Sequence, residues 1–312
     1  MRIAICLFSA ALGACASADP TPEPGGPEVL PGLHVLPVPD NGIQVITPIF
    51  HGIAPGTDNE VCTWTDAVFD QATDVKTTRA FQSEPGGHHV VAYYTMNRQP
   101  PGTQRICADT DMVTFRMLAG GGEGIVNEAP GDLVYRIPAG AQLVLNHHYL
   151  NTTDQTLDGQ SGINLDYAGP GNWIPSGNLA IVDTTLKVPL GASREMIHCD
   201  FDRDFKLWYL IPHMHQWGAK ETIDLTQGGV TTRMFDTTWD PSFAFHPPEK
   251  RADPAAPMTV HVGDSIDVEC DYINDSGMVL PFGFEMCVVF GQFVDDKLEG
   301  GRACDHGSWL AF

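Results

Sequence analysis

From Leu33 onward the chain alternates short apolar runs with clusters of turn formers. The runs GIQVITPIF, HHVVAYYTM, DLVYRIPAGAQLVLNHHYL, TLKVPL, KLWYLIPHMH, ETIDLT, SIDVECDYI and EMCVVFGQFV are rich in β-branched and aromatic residues. Short runs of this kind, bounded by Gly, Pro, Asn and Asp, predict strands. Helix is expected only in short pieces. The 32 glycines and 24 prolines fit many strands joined by frequent turns. The predicted fold class is therefore all-β, built from antiparallel β-sandwiches. At 312 residues there is room for two domains. The stretch YAGPGNWIPSGN, from Tyr167 to Asn178, is turn-rich and lacks strand character. It is the predicted boundary, dividing a first domain, 33–172, from a second, 173–312.

The first residues follow a different pattern. Arg2 and the short apolar run Ile3 to Leu12 form a targeting segment rather than a structural one. Leu12-Gly13-Ala14-Cys15 resembles a bacterial lipobox. That reading gives a signal peptide over 1–14, lipidation at Cys15 and anchoring in the cell envelope. The competing reading is plain secretion, with cleavage after Ala18. Residues 15–32, rich in Pro, Gly and Glu, read as an extended tether. No later stretch is apolar for long enough to span a membrane, so membrane contact is expected only through the lipid.

Charge and cysteine content narrow the class further. A formal net charge of -22, with no basic run, argues against a nucleic-acid partner, since phosphate is bound through clustered Lys and Arg. Apart from Cys6 and Cys15, the cysteines are Cys62, Cys107, Cys199, Cys270, Cys287 and Cys304. An even number in an exported chain suggests three disulfides, although spacing alone leaves the pairing open. No Cys-x-x-Cys occurs, which disfavours a structural zinc or dithiol redox motif. The glycine-rich stretch at Gly120 to Gly124 lacks the Lys-Ser/Thr of a phosphate loop, and no Gly-x-Ser-x-Gly supports a serine hydrolase.

Histidines carry the candidate chemistry. In Leu210-Ile211-Pro212-His213-Met214-His215, a strand-like run ends on two histidines one residue apart, so both imidazoles lie on one face and Met214 on the other. His88 and His89 open another strand, preceded by Gly86 and Gly87. Neighbours in a regular strand face oppositely, so shared ligation by His88 and His89 requires local departure from the pleat, which glycine permits. His148 can complete that set from an adjacent strand, leaving His147 for solvent or core. Met286 alone would be core filling. Together with His213 and His215, its thioether favours copper, as Cu(I), over zinc or magnesium. His34, His51, His198, His246, His261 and His306 lack partners at ligand spacing; only His246, in Phe245-His246-Pro247, is a candidate neighbour of the site.

In order and approximate spacing these elements resemble the copper type II, ascorbate-dependent monooxygenases, the family of dopamine β-monooxygenase and peptidylglycine α-hydroxylating monooxygenase. The matching residues are His88-His89, His148-Tyr149, His213-x-His215 with Gly218, and Glu285-Met286-Cys287, spread from about Leu33 to Cys304. The resemblance implies two jelly-roll-like β-sandwich domains facing each other across a cleft, and two copper ions per chain. His88, His89 and His148 would hold the electron-supplying copper. His213, His215 and Met286 would hold the copper at which O2 and a small-molecule substrate react, with ascorbate or an equivalent reductant as co-substrate. It also implies the pairings Cys62–Cys107, Cys199–Cys304 and Cys270–Cys287.

Departures from the family bear on substrate. Where peptide-amidating members carry arginine, asparagine and tyrosine for a substrate carboxylate, this chain has Ile211, Val288 and Phe290. A carboxylate would meet an apolar wall there, so an apolar or aromatic substrate is expected instead. The expected function is hydroxylation of a C–H bond of a small organic molecule. The alternatives are an exported copper-binding lipoprotein that buffers or delivers the metal, and a surface binding module retaining the ligands as relics.

Overall fold

A computed structural model of the chain describes residues 28–108, 111–121, 125–244, 247–297 and 300–311. The targeting segment, Cys15, most of the tether and His246 lie outside them. The end of the tether stretch is fastened: Gln160 donates to the Glu28 carbonyl and accepts from the Leu30 N–H.

The first half contains β1 (Gly42–Ile46), β2 (Phe50–Ile53), β3 (Asp58–Val68), β4 (Thr73–Gln82), β5 (Gly87–Thr95) and β6 (Thr103–Ile106). A one-turn helix α1 (Asp111–Thr114) follows, then β7 (Arg116–Gly121), β8 (Val126–Glu128), β9 (Leu133–Ile137), β10 (Gln142–Leu150), β11 (Leu157–Gly159) and β12 (Ser161–Tyr167). One layer runs β1-β12-β4-β9 and the other β6-β3-β10-β5-β7. Val75, Leu133, Ile137, Leu143, Leu145 and Leu165 fill the space between, all essentially without solvent contact.

The second half contains β13 (Ile174–Val182), β14 (Lys187–Val188), β15 (Gly191–Asp200), β16 (Phe205–His213), β17 (Gly218–Gln227), β18 (Val230–Thr238), β19 (Lys250–Arg251) and β20 (Met258–Val260). It ends with β21 (Ser265–Asn274), β22 (Leu280–Pro281), β23 (Val288–Val294), β24 (Arg302–Asp305) and β25 (Ser308–Ala311). Its layers are β13-β23-β16, extended by β19, β20, β24 and β25, and β15-β21-β17-β18. A separate core forms around Ile181, Leu207, Ile223, Ile266 and Val289. The chain is all-β, and each half is a sandwich. Alternation along strands such as β13 and β21 supplies one apolar face per layer.

The two sandwiches share a sheet. β13 begins at Ile174, inside the stretch read from sequence as a turn-rich linker, and pairs in parallel with β9 through Ile174↔Leu133 and Pro175↔Val134. The linker proper is therefore only 168–173. Strand character there was hidden because Pro175 and Gly177 dilute the apolar signal, whereas Pro is tolerated where one edge lacks a ladder partner. Trp208 crosses the seam: it sits on β16 but packs in the first core, donating to Ser176 Oγ at 3.1 Å.

All three disulfides are formed: Cys62–Cys107, Cys199–Cys304 and Cys270–Cys287. They suit an oxidising compartment outside the cytoplasm. Among the described residues no helix is long and apolar enough to cross a membrane.

The halves repeat one local arrangement. After β10, Asn151 donates to the carbonyls of Ile53 and Gln155 and accepts from the N–H and hydroxyl of Thr153. After β21, Asn274 donates to Val188 and Met278 and accepts from the N–H and hydroxyl of Ser276. Tyr149 pairs with Gly87 and Tyr272 with Gly218, each beside an irregularity in the ladder. The next rungs, His148↔His89 and Asp271↔Lys220, then His147↔Val90 and Cys270↔Glu221, are equivalent by register. No short sequence repeat announces this duplication.

Candidate metal centres

The first centre stands on β5 and β10 of the first sandwich. Gly86 has φ +103°, in the left-handed region where glycine is favoured. The β5–β10 register shifts between His148 and Tyr149. That irregularity lets consecutive His88 and His89 converge rather than face oppositely. The Nδ1 atoms of His88, His89 and His148 form a triangle with edges of 3.2, 3.2 and 3.3 Å. A point equidistant from three such atoms lies about 1.9 Å from each, and a slight rise out of plane reaches the roughly 2.0 Å typical of metal–imidazole bonds. Three ring nitrogens aimed at one point fit a cation better than they fit one another. The donor set is thus suited to a metal ion.

Electrostatics agree with ligation. The His89 imidazole is pushed down to about 3, first by burial, then by the positive charge of His148 and His88, with Asp58 opposing and His215 adding. It is neutral at physiological pH, as a ligand must be. His148 turns its other nitrogen, Nε2, to Asp58 at the start of β3. That hydrogen bond, helped by the charges of His148, His88 and His89, holds the Asp58 carboxyl below the usual range despite its partial burial. An imidazole held this way has its orientation and tautomer fixed.

His147 points away from the centre. It is wholly buried, with Nε2 2.5 Å from Thr63 Oγ1 and Nδ1 2.7 Å from the Tyr149 hydroxyl. Burial pushes its pKa down to about 3. It is a satisfied core histidine.

The second set lies where β16 and β23 part. Their ladder runs to the rung His213↔Val288 and stops. His213 and His215 have ring centroids 5.0 Å apart at 87°. Met214 between them is fully buried in the second core. Burial, followed by the charges of His215 and His89, drives the His213 pKa well below normal, so this imidazole is also neutral. The charge of His215 acts on His89 and that of His89 on His213, which puts the two histidine groups within electrostatic reach across the seam.

Beyond the last rung, Phe284-Glu285-Met286 meets the histidine segment. His215 Nδ1 lies 3.2 Å from the Phe284 carbonyl, which leaves Nε2 as the ligand nitrogen. The Glu285 carboxylate accepts from the backbone N–H groups of His215, Trp217 and Met286 at 2.5, 2.9 and 2.9 Å. Burial raises the Glu285 pKa, and those hydrogen bonds and the charge of His215 offset part of the rise. The Met286 carbonyl accepts from the Tyr272 hydroxyl at 3.0 Å, and Cys287 is tied to Cys270. The Met286 backbone is therefore held from three sides. Imidazole nitrogen with thioether sulfur fits a soft metal.

Of the apolar wall, Ile211 and Phe290 are half-buried cross-strand partners, and the Phe290 ring lies 5.3 Å from that of His213. Val288 is fully buried and belongs to the core instead. His51, His198 and His261 pair with surface carboxylates. His306, read as isolated, has its ring nitrogen within 4.8 Å of carboxylate oxygens of Asp183 and Glu195. Sequence reasoning missed Asp58 and the carboxylate role of Glu285. Both act over long sequence separations, through contacts that no local pattern encodes.

No family model matches the chain, and no curated protein does. Among solved structures, an archaeal virus turret protein with a triple jelly-roll fold aligns at 8% identity and TM-score 0.23, covering 83% of this chain and 61% of its own. The chain thus spans about three-fifths of that protein's length. A Parabacteroides distasonis protein aligns at 9% identity and TM-score 0.18, over 84% and 92% of the two chains. An infectious bursal disease virus protein aligns at 8% and 0.20, over 84% and 70%. Similarity this low carries no argument about function.

Proposed function

We propose that this protein is an exported, copper-dependent monooxygenase that hydroxylates a C–H bond of a small apolar or aromatic molecule, using O2 and ascorbate or a similar one-electron reductant. The observation that carries the reading is the Nδ1 triangle of His88, His89 and His148, joined in the same chain by His213 and His215, whose rings lie 5.0 Å apart, with the Met286 backbone held beside that of His215 through Glu285. Copper would supply one-electron transfer and oxygen activation. Imidazole is a good copper ligand, and a thioether favours the reduced state at the second centre.

The chain's own residues have separable tasks. His88, His89 and His148 hold the first ion, with Asp58 orienting His148. His213, His215 and Met286 hold the second, with the Phe284 carbonyl fixing which His215 nitrogen is free. Ile211 and Phe290 present an apolar surface beside His213 and offer no partner to a substrate carboxylate. Lipidation at Cys15 would keep the protein at the outer side of a membrane.

The test is to load the purified protein with copper, supply ascorbate, and screen small aromatic and aliphatic compounds by mass spectrometry for a gain of one oxygen. Coupled O2 uptake and a hydroxylated product are expected. Two bound coppers with no oxygen uptake would replace this reading with a copper-holding lipoprotein. A protein that takes up no copper would leave only a binding module.

A further inference from the structure

β16 and β23 stop pairing at His213↔Val288, yet the second donor set needs residues from both segments beyond that rung. His215 and Trp217 follow the end of β16, and Met286 precedes the start of β23. In this gap no backbone ladder fixes one segment against the other. Besides the His215 Nδ1 contact with the Phe284 carbonyl, a buried side chain fills it: Glu285 accepts three backbone N–H bonds, from His215, Trp217 and Met286. Its Oε1 takes both ligand-bearing residues, at 2.5 and 2.9 Å, so one atom sets the spacing between the His215 and Met286 backbones. Hydrogen bonds to a buried carboxylate are charge-assisted and stronger than neutral ones. Losing them would also leave three part-buried N–H donors without these partners.

We infer that Glu285 is the positioning residue of the His213–His215–Met286 centre, a carboxylate bracket that takes the place of strand pairing and sets the distance between imidazole and thioether. This rests on the copper reading above. Glu285 has no role as ligand here, since its oxygens are engaged by the backbone. The same three-residue unit, 284–286, then supplies an orienting carbonyl, a bracket and a ligand in sequence.

The decisive measurement is Cu(I) titration of the intact mature protein with a competing chelator, combined with X-ray absorption to detect a copper–sulfur shell. Wild type is expected to bind two coppers, one with sulfur. Glu285→Gln replaces one acceptor oxygen with an NH2 that opposes a backbone N–H. It is expected to keep the three-histidine copper, weaken the second by about 10- to 100-fold, and lose the sulfur shell. Glu285→Asp retains the charge but is one methylene too short to span both segments, and serves the same test if the glutamine variant does not fold. Wild-type affinity with an intact sulfur shell in either folded variant would overturn the bracket alone. Equal loss of both coppers in a folded variant would also overturn it, because the effect would not be local. A wild type that binds no sulfur-ligated copper would sink the underlying reading and the bracket with it.

Discussion

The two sandwiches carry the same asparagine turn, the same tyrosine opposite a glycine and the same irregular rung, and then equip that rung differently. In the first half it bears His88, His89 and His148, with buried Val90 behind. In the second the matching positions are Ala219, Lys220 and Asp271, with buried Glu221 behind. Lys220 pairs with Asp236 and Asp271 with Arg194, so the second half spends this rung on solvent-facing ion pairs. Its own donor set sits on the opposite layer, at the end of β16. A shared backbone irregularity therefore permits convergence of side chains but does not dictate a metal site. Residue chemistry at three positions decides.

The largest effect that can break this comparison is functional. Met286→Ala should abolish hydroxylation while the three-histidine copper remains, and His88→Ala should leave the sulfur-ligated copper while stalling turnover. Unchanged turnover in Met286→Ala would remove the division of labour between the halves. Next is the Cys270–Cys287 crosslink, which occupies the position matching His147 in the first half. On the chain-entropy model its loss in a Cys270→Ser/Cys287→Ser variant should cost about 3 kcal/mol in urea unfolding.

A third test concerns the matched pair Val90 and Glu221. Burial pushes the Glu221 pKa far up, the His213 backbone N–H and Glu285 modify it, and neither carboxyl oxygen makes a well-formed hydrogen bond. Glu221→Met, close in volume, should be neutral or stabilising by roughly 1–3 kcal/mol, since an unsatisfied buried polar group is removed. Clear destabilisation would mean that the carboxyl has a structural partner.

The fourth test is pH. His147 in the fold titrates near 3, so from about pH 6.5 downward the unfolded chain binds a proton that the fold does not. Its contribution to stability is fully present above that pH and falls as pH drops toward 3. Between pH 6 and 4.5, copper-free wild type should lose about 1.4 kcal/mol per unit more than His147→Gln does. Parallel urea midpoints for the two would show that His147 is not buried neutral. Smallest is Asp58→Asn, which leaves the His148 contact without its charge and should weaken the first copper by about tenfold, with the second unaffected.

Much of the fold was legible because strand alternation and turn residues are local signals. β10 and β16, which carry His148 and His213, read directly as β-branched and aromatic runs. The strand over Ile174–Val182 did not, because Pro175 and Gly177 interrupt its apolar pattern. Its place is fixed by β9 and β23, partners distant in sequence. Residue type and spacing nominated His213, His215, His88, His89, His148 and Met286. They could not place Asp58 or Glu285, whose partners are 90 and 70 residues away.

By itself, then, the sequence determined the all-β class and supplied imidazoles and a thioether in a suggestive order, because periodicity and donor chemistry are properties of short segments. Only the tertiary structure decided that consecutive His88 and His89 converge on His148, that His147 turns into the core, and that Glu285 spans the gap between two parted strands. Those outcomes depend on ladder register, on a bulge beside a left-handed glycine, and on which backbone groups lack a partner where a ladder ends. None of these exists until distant strands are paired.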